Sequence, residues 1–346
     1  MQFRLENIRI LELEITSHCN SFCPHCPRFD SDLNLISSMQ LKHWNWKKIK
    51  YNLELDQLIN LKQVIIRGDK GEPLMHPNLE EIVDFFLGGS SQPEVLIGTN
   101  GSVRNTEWWG RLGSKSKRLV VDFSIDGLDD TNEIYRVGTN YKKIIKNASA
   151  FIQAGGRANW RCLIFKHNQH QIQEIKQFAK QLGFAQVTFY QSLLNRFLGK
   201  TVWPVFKNGK ELPSLSPTDF DQKFISMHNK TWTTDTIAYD NNDANFVCPR
   251  MQAGNIYITY RHHVVPCCMM HNVLYEGKSS KSFRRIMELL KDADQLDLEK
   301  LSLRNILLGD FWAKSLHEHF FNGAFHPICA ASCKSEILSS ISRRSL

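Results

Sequence analysis

The chain has 346 residues, of which 42% are hydrophobic, 11% aromatic and 23% charged, with a formal net charge of +8; this composition excludes disorder and has room for one large domain or two ordinary ones. No apolar run approaches the ~20 residues that cross a bilayer, and the opening MQFRLENIRI lacks the apolar core and cleavage site of a signal peptide, so a cytoplasmic protein with no membrane segment is expected. Lysine and arginine are scattered, with only the tail SRRSL clustered, which argues against a nucleic-acid footprint.

In chain order, RILELEI (9–15) alternates apolar and polar residues and reads as a strand. QVIIR (63–67) then precedes a helix around LEEIVDFFL (79–87), and EVLIG (94–98) precedes one around TEWWGRL (106–112). LVVDFSI (119–125) precedes an amphipathic helix at 141–156 closed by Gly155 and Gly156. WRCLIF (160–165) precedes a helix ending at Gly183, and QVTFY (186–190) is the sixth strand. Six strands separated by helices imply parallel β/α units in an open sheet or a partial barrel over residues 1–200. Residues 201–244, with Pro204, Pro213, Pro217 and the polar run DNNDAN, read as a bridging segment or lid. Residues 245–346 read as a smaller, cysteine-bearing module in which NIYITYRHHVV forms a β-hairpin.

Ligands of parallel β/α folds bind at the C-terminal ends of the strands. The six strands here end in the stretch holding Cys19, Cys23 and Cys26, then RGDKGEP, GTNG, SIDG, FKHN and YQS. Turn chemistry alone supplies some of these Gly, Asn and Asp residues; the cysteines on the same rim are the distinctive part. Nine cysteines grouped in this way in a reducing compartment suggest metal rather than cross-links. The first three are spaced C-x3-C-x2-C. Thiolates suit zinc, with His18, His25 or Asp30 completing the set, and equally an iron–sulfur cluster with one iron left open.

C-x3-C-x2-C directly after the first strand, followed by GEP, TNG and SIDG turns at later strand ends, resembles the radical S-adenosylmethionine (SAM) superfamily over roughly residues 8 to 192. The resemblance implies a partial (β/α)6 TIM-like barrel with a [4Fe–4S] cluster on Cys19, Cys23 and Cys26. It also implies an iron chelated by SAM, and reductive cleavage of SAM to a 5′-deoxyadenosyl radical that takes a substrate hydrogen. Gly71, Glu72 and Pro73 match the turn that holds the SAM amino group, although the usual double glycine is stretched here. Thr99 and Asn100 match the turn near methionine and ribose, Ser124 and Asp126 match ribose positions, and Arg136 matches a carboxylate-holding arginine. His25 stands where the family often has an aromatic residue against adenine, and Asn168 is a further cofactor-site candidate.

Cys248, Cys267, Cys329 and Cys333 form two close pairs that suit a closed four-thiolate site of zinc or iron–sulfur. Behind a radical SAM core the pattern resembles the twitch form of the SPASM domain, an α+β module with one auxiliary [4Fe–4S] cluster. Cys267 follows Pro266 as in the family pattern, so the resemblance favours it over Cys268 as the ligand. Mid-strand Cys162 reads as core.

The resemblance implies a maturase acting on a ribosomally made precursor peptide, by cross-linking, epimerisation or splicease-type excision, with a flavodoxin- or ferredoxin-type reductant. The first strand starts near residue 9, where many such enzymes carry a peptide-recognition domain, so a separate leader-binding protein is expected. The rival readings are a radical SAM dehydrogenase of a small alcohol or sugar, and a zinc-stabilised binding protein.

Overall fold

Apolar and polar residues alternate along the strands because each strand separates two unlike environments, a helix-covered outer face and a polar lumen. The computed structural model describes residues 3–30, 32–192, 202–220, 249–268, 270 and 293–316. β1 (Ile10–Leu13), β2 (Gln63–Ile66), β3 (Glu94–Thr99), β4 (Leu119–Ser124), β5 (Arg157–Ile164) and β6 (Gln186–Gln191) overlap the six expected strands and pair in parallel in that order. Between them run α1 (Trp46–Asn52), α2 (Leu79–Leu87), α3 (Thr106–Gly113), α4 (Asn132–Tyr135), α5 (Tyr141–Gln153) and α6 (Ile172–Leu182). The architecture is the expected partial β/α barrel.

Leu11, Leu13, Val64, Ile66, Val121 and Phe123 on the outer face pack against the helices. α5 meets them with Tyr141, Ile144, Ala148 and Phe151, the three- and four-residue spacing of one helical stripe. Its start is capped by Asn140, whose side chain accepts from Lys143 N. α6 ends on Gly183 at φ 87, the left-handed closure its sequence announces.

The other strand faces carry Glu12, Glu14, Asp122, Ser124, Arg161 and Tyr190. Glu12 accepts from Arg250 Nη1 and Asn255 Nδ2, both at 2.8 Å. Glu14 accepts from Lys70 N (2.6 Å) and Tyr260 N (3.3 Å), tying the turn after β2 to the turn after a later strand. These contacts pair or cap charges that burial would otherwise penalise.

β7 (Trp203–Lys207) and β8 (Lys210–Leu215) form an antiparallel hairpin where a bridging segment is expected. Its turn residues, Asn208 and Gly209, have φ of 53° and 72°, the paired left-handed geometry of a tight hairpin. Val205 and Leu215 make a small second core with Leu33 and Phe165, so the hairpin sits on the cysteine-bearing loop.

After α7 (Pro249–Gln252), the expected hairpin appears as β9 (Asn255–Ile258) and β10 (Val264–Val265). β9 adds in parallel to the free edge of β1, with Leu11 opposite Ile256 and Leu13 opposite Ile258, and makes an eight-stranded sheet. α8 (Leu303–Leu308) closes the core from outside, and Trp312 Nε1 donates to the Val264 carbonyl at 3.2 Å. No helix among the described residues is long and apolar enough to cross a membrane.

Candidate functional site

Strand β1 delivers the chain to a loop in which Cys19, Cys23 and Cys26 face one cavity of about 340 Å³. Cys26 N donates to the Cys23 carbonyl (3.1 Å) and Phe22 N to the Val137 carbonyl (2.8 Å), which fixes the loop against the segment after α4. All three thiols are free. Burial pushes the Cys26 thiol up to about 12 and, with Glu72, raises that of Cys19, so thiolates here need a cationic partner such as a metal.

The turn after β2 supplies Glu72. Its Oε1 accepts from Thr99 Oγ1 (2.7 Å) and Leu74 N (3.2 Å), and its Oε2 from Asn100 N (2.7 Å). Burial nevertheless holds the carboxyl above its ordinary range, and an ammonium group of a ligand would restore the carboxylate. Gly68 and Gly71 explain the stretched motif. A side chain on Gly71 would strike the Thr16 carbonyl, and one on Gly68 would strike Gly71, so the two glycines stay in contact while Asp69 and Lys70 loop between them.

Arg136 enters from the end of α4. Its Nε donates to Asp126 Oδ2 at 2.6 Å, and its Nη1 lies 3.8 Å from Cys23 Sγ. Burial opposes its charge, but Asp126 and Cys23 outweigh burial and hold it above the ordinary value. Ser124 also lines the cavity.

His25 adopts φ 68, and its ring lies 4.2 Å from that of Trp203 on the hairpin. Burial lowers its pKa to about 4, so the imidazole is neutral near pH 7. Its Nε2 is buried with no hydrogen-bond partner among the described residues.

Cys19, Cys23, Cys26, His25, Gly71, Glu72, Thr99, Asn100, Ser124 and Arg136 are thus brought together on one cavity. Pro73, Asp126 and Asn168 are not among its lining residues. Pro73 opens a short 3₁₀ turn, Asp126 stands behind Arg136, and Asn168 spends its side-chain amide on the carbonyls of Asp126 (2.8 Å) and Leu163 (2.9 Å).

No protein-family model matches the chain. Over 220 residues it is 23% identical to the AdoMet-dependent heme synthase of Methanosarcina barkeri, covering 62% of this chain and 56% of that protein. Over 172 residues it is 22% identical to the antilisterial bacteriocin subtilosin biosynthesis protein AlbA of Bacillus subtilis, covering 49% and 36%. Both relatives are radical SAM enzymes.

The chain resembles radical SAM enzymes in sequence.

It spans about half the length, or less, of these curated relatives. Its fold resembles that of Streptococcus suis SuiB bound to precursor peptide SuiA, with a TM-score of 0.57 at 14% identity over 90% of this chain and 67% of that one.

The donor set fits the group a radical SAM core implies. Three clustered thiols leave a cluster iron open, and Arg28 points to an anion beside them. Arg28 is only 4% exposed, and its Nη2 donates to the Ser17 carbonyl at 3.1 Å. Its Nε and Nη1 are buried without hydrogen-bond partners among the described residues, on the same cavity as the cysteines. Cys267 and Cys268 are half-buried just past β10, and burial together with Asp69 holds the Cys268 thiol well above its ordinary value. Cys248, Cys329 and Cys333 lie outside the described residues.

Several site residues are not singled out by the motifs. Asn20 bridges the cysteine loop to the turn after β3, accepting from Asn100 Nδ2 (2.9 Å) and donating to Ser102 Oγ (2.8 Å). Arg28 is signalled only by its place two residues after Cys26. Arg67 and Arg161 also line the cavity, and nothing local marks them as lumen residues.

Proposed function

We propose that the chain is a radical SAM maturase that removes a hydrogen atom from a ribosomally made precursor peptide. The observation that carries the reading is the convergence of three free thiols, the clamped Glu72 carboxylate and Arg136 on one cavity. In this reading Cys19, Cys23 and Cys26 hold a [4Fe–4S] cluster, Glu72 takes the SAM ammonium group and Arg136 its carboxylate. Thr99, Asn100 and Ser124 face the remainder of the cofactor, and His25 offers its neutral ring to adenine. When bound, the reduced cluster and SAM together supply a hydrogen-abstracting radical. The protein's part is to orient SAM by charge, to shelter the cavity with the β7–β8 hairpin, and to hold the reacting carbon in place.

The peptide assignment is supported by likeness to a bacteriocin biosynthesis protein and to the fold of a protein solved with a precursor peptide. Cys248, Cys267, Cys329 and Cys333 are proposed to hold an auxiliary [4Fe–4S] cluster in a twitch-type module over 245–346. Incubating the reconstituted protein anaerobically with SAM, a reductant and peptides encoded beside its gene should give a mass change in one peptide. Robust SAM cleavage with every peptide unchanged would remove the peptide reading.

A further inference from the structure

Arg67 stands one residue past β2 and runs across Gly98, where a Cβ would come within 3.1 Å of the Arg67 Cβ. The glycine therefore keeps a path open for the guanidinium in the lumen. Arg161, on β5, faces the same cavity. Both arginines approach a single oxygen of Asp122. Arg161 Nη1 donates to Oδ2 at 3.0 Å, whereas Arg67 Nη2 remains 3.7 Å away, beyond hydrogen-bond reach. The other oxygen of Asp122 accepts from Asn159 Nδ2 at 2.9 Å. Each oxygen of the carboxylate thus accepts one hydrogen bond, neither of them from Arg67.

Neighbouring acids make their hydrogen bonds to other groups, although Glu12 also favours the Arg67 charge. Glu12 is held by Arg250 and Asn255, Asp126 by Arg136 and Leu163 N, and Asp69 faces Tyr257 and Cys268. Arg67 Nε is buried and has no hydrogen-bond partner among the described residues. Burial and the charge of Arg161 together hold the Arg67 pKa below its ordinary value. The two guanidiniums repel each other across Asp122. Such an arrangement is stable when an anion enters between them, and a planar carboxylate matches the guanidinium fork.

We infer that Arg67 and Arg161 form a carboxylate-binding subsite for the substrate, on the wall of the cavity the three cysteines share. The inference rests on the peptide reading for the source of the carboxylate, which is an acidic side chain or a free C-terminus next to the residue attacked. The subsite selects an acidic peptide and holds it in register with the cofactor.

The probes are acetyl-Ala-Glu-Ala-amide, acetyl-Ala-Ala-Ala with a free carboxylate, the neutral acetyl-Ala-Gln-Ala-amide, and glutarate. Each is titrated calorimetrically into cluster-reconstituted, SAM-loaded wild-type protein, Arg67→Met and Arg67→Lys. At least one acidic tripeptide should bind about tenfold or more tighter than the neutral one, the scale of a charge-assisted hydrogen bond. Arg67→Met should lose that preference, and Arg67→Lys should keep part of it. Which acidic tripeptide wins assigns the carboxylate to a side chain or a terminus. Equal binding of acidic and neutral tripeptides, no binding of either, or persistence of the preference in Arg67→Met each overturns the subsite. If glutarate matches the acidic tripeptides, the subsite stands and the peptide reading falls.

Discussion

Asp126 holds Arg136 through a 2.6 Å contact from Nε to Oδ2, and the same carboxylate takes Leu163 N at 2.6 Å through its other oxygen. The arginine is therefore aimed from β5 as well as from its own segment. Asp126→Asn keeps the shape but leaves a buried guanidinium without its counter-charge. SAM affinity, read by equilibrium dialysis on the reconstituted protein, should fall about ten- to hundredfold. Unchanged affinity would detach Arg136 from cofactor binding.

Arg28 donates one hydrogen bond to protein and keeps two donor atoms buried on the cysteine cavity. Cluster potentials follow net charge and hydrogen bonds to sulfur. Arg28→Met should therefore lower the midpoint potential of the cluster in an EPR-monitored titration, with Arg28→Lys recovering part of the shift. A potential equal to wild type in both variants would make Arg28 a loop-packing residue only.

His76 is fully buried, with Nε2 bonded to the Trp44 carbonyl (3.2 Å) and Nδ1 accepting from Asn78 N (3.1 Å). Protonating Nδ1 would set two donors against each other, and burial lowers the pKa from 6.5 to about 4. The folded pKa is depressed, so the unfolded chain binds the proton first and stability falls as pH drops between those values. The contribution is up to about 1.4 kcal/mol per pH unit across that window. Urea unfolding at several pH values should show a steeper acid loss in wild type than in His76→Asn. Parallel curves would contradict this.

Trp203 braces His25, and through it the cysteine loop, from the β7–β8 hairpin. Trp203→Ala removes a ring contact worth about 1 kcal/mol. The variant should release iron to a chelator faster than wild type while its circular dichroism stays unchanged. Equal release rates would leave the hairpin without a part in retaining the cluster.

The β/α order is legible in the sequence because strand alternation, helical stripes and closing glycines such as Gly183 are local signals. The motif residues that share the cavity are legible for the same reason, as each sits in the turn after its own strand. The lumen charges are not. Glu12 and Glu14 alternate with leucine and isoleucine as they would on a solvent-facing strand, and only closure of the sheet turns that face inward. Arg67 and Arg161 acquire meaning from Asp122, 55 and 39 positions away in sequence. The addition of β9 to β1 joins residues more than two hundred positions apart, which no local pattern announces. The β7–β8 hairpin does carry a local signal, Asn208–Gly209 between apolar runs, but the prolines around it read as a linker.

A three-thiolate cluster that opens SAM to reduction is tested most directly by measuring iron, sulfide and 5′-deoxyadenosine in one anaerobic preparation. Wild type reduced with dithionite should turn SAM into 5′-deoxyadenosine and methionine. The combined Cys19→Ala, Cys23→Ala and Cys26→Ala variant should lose about four irons and that activity together. A colourless wild type holding zinc and no sulfide, with SAM left intact, would contradict the account.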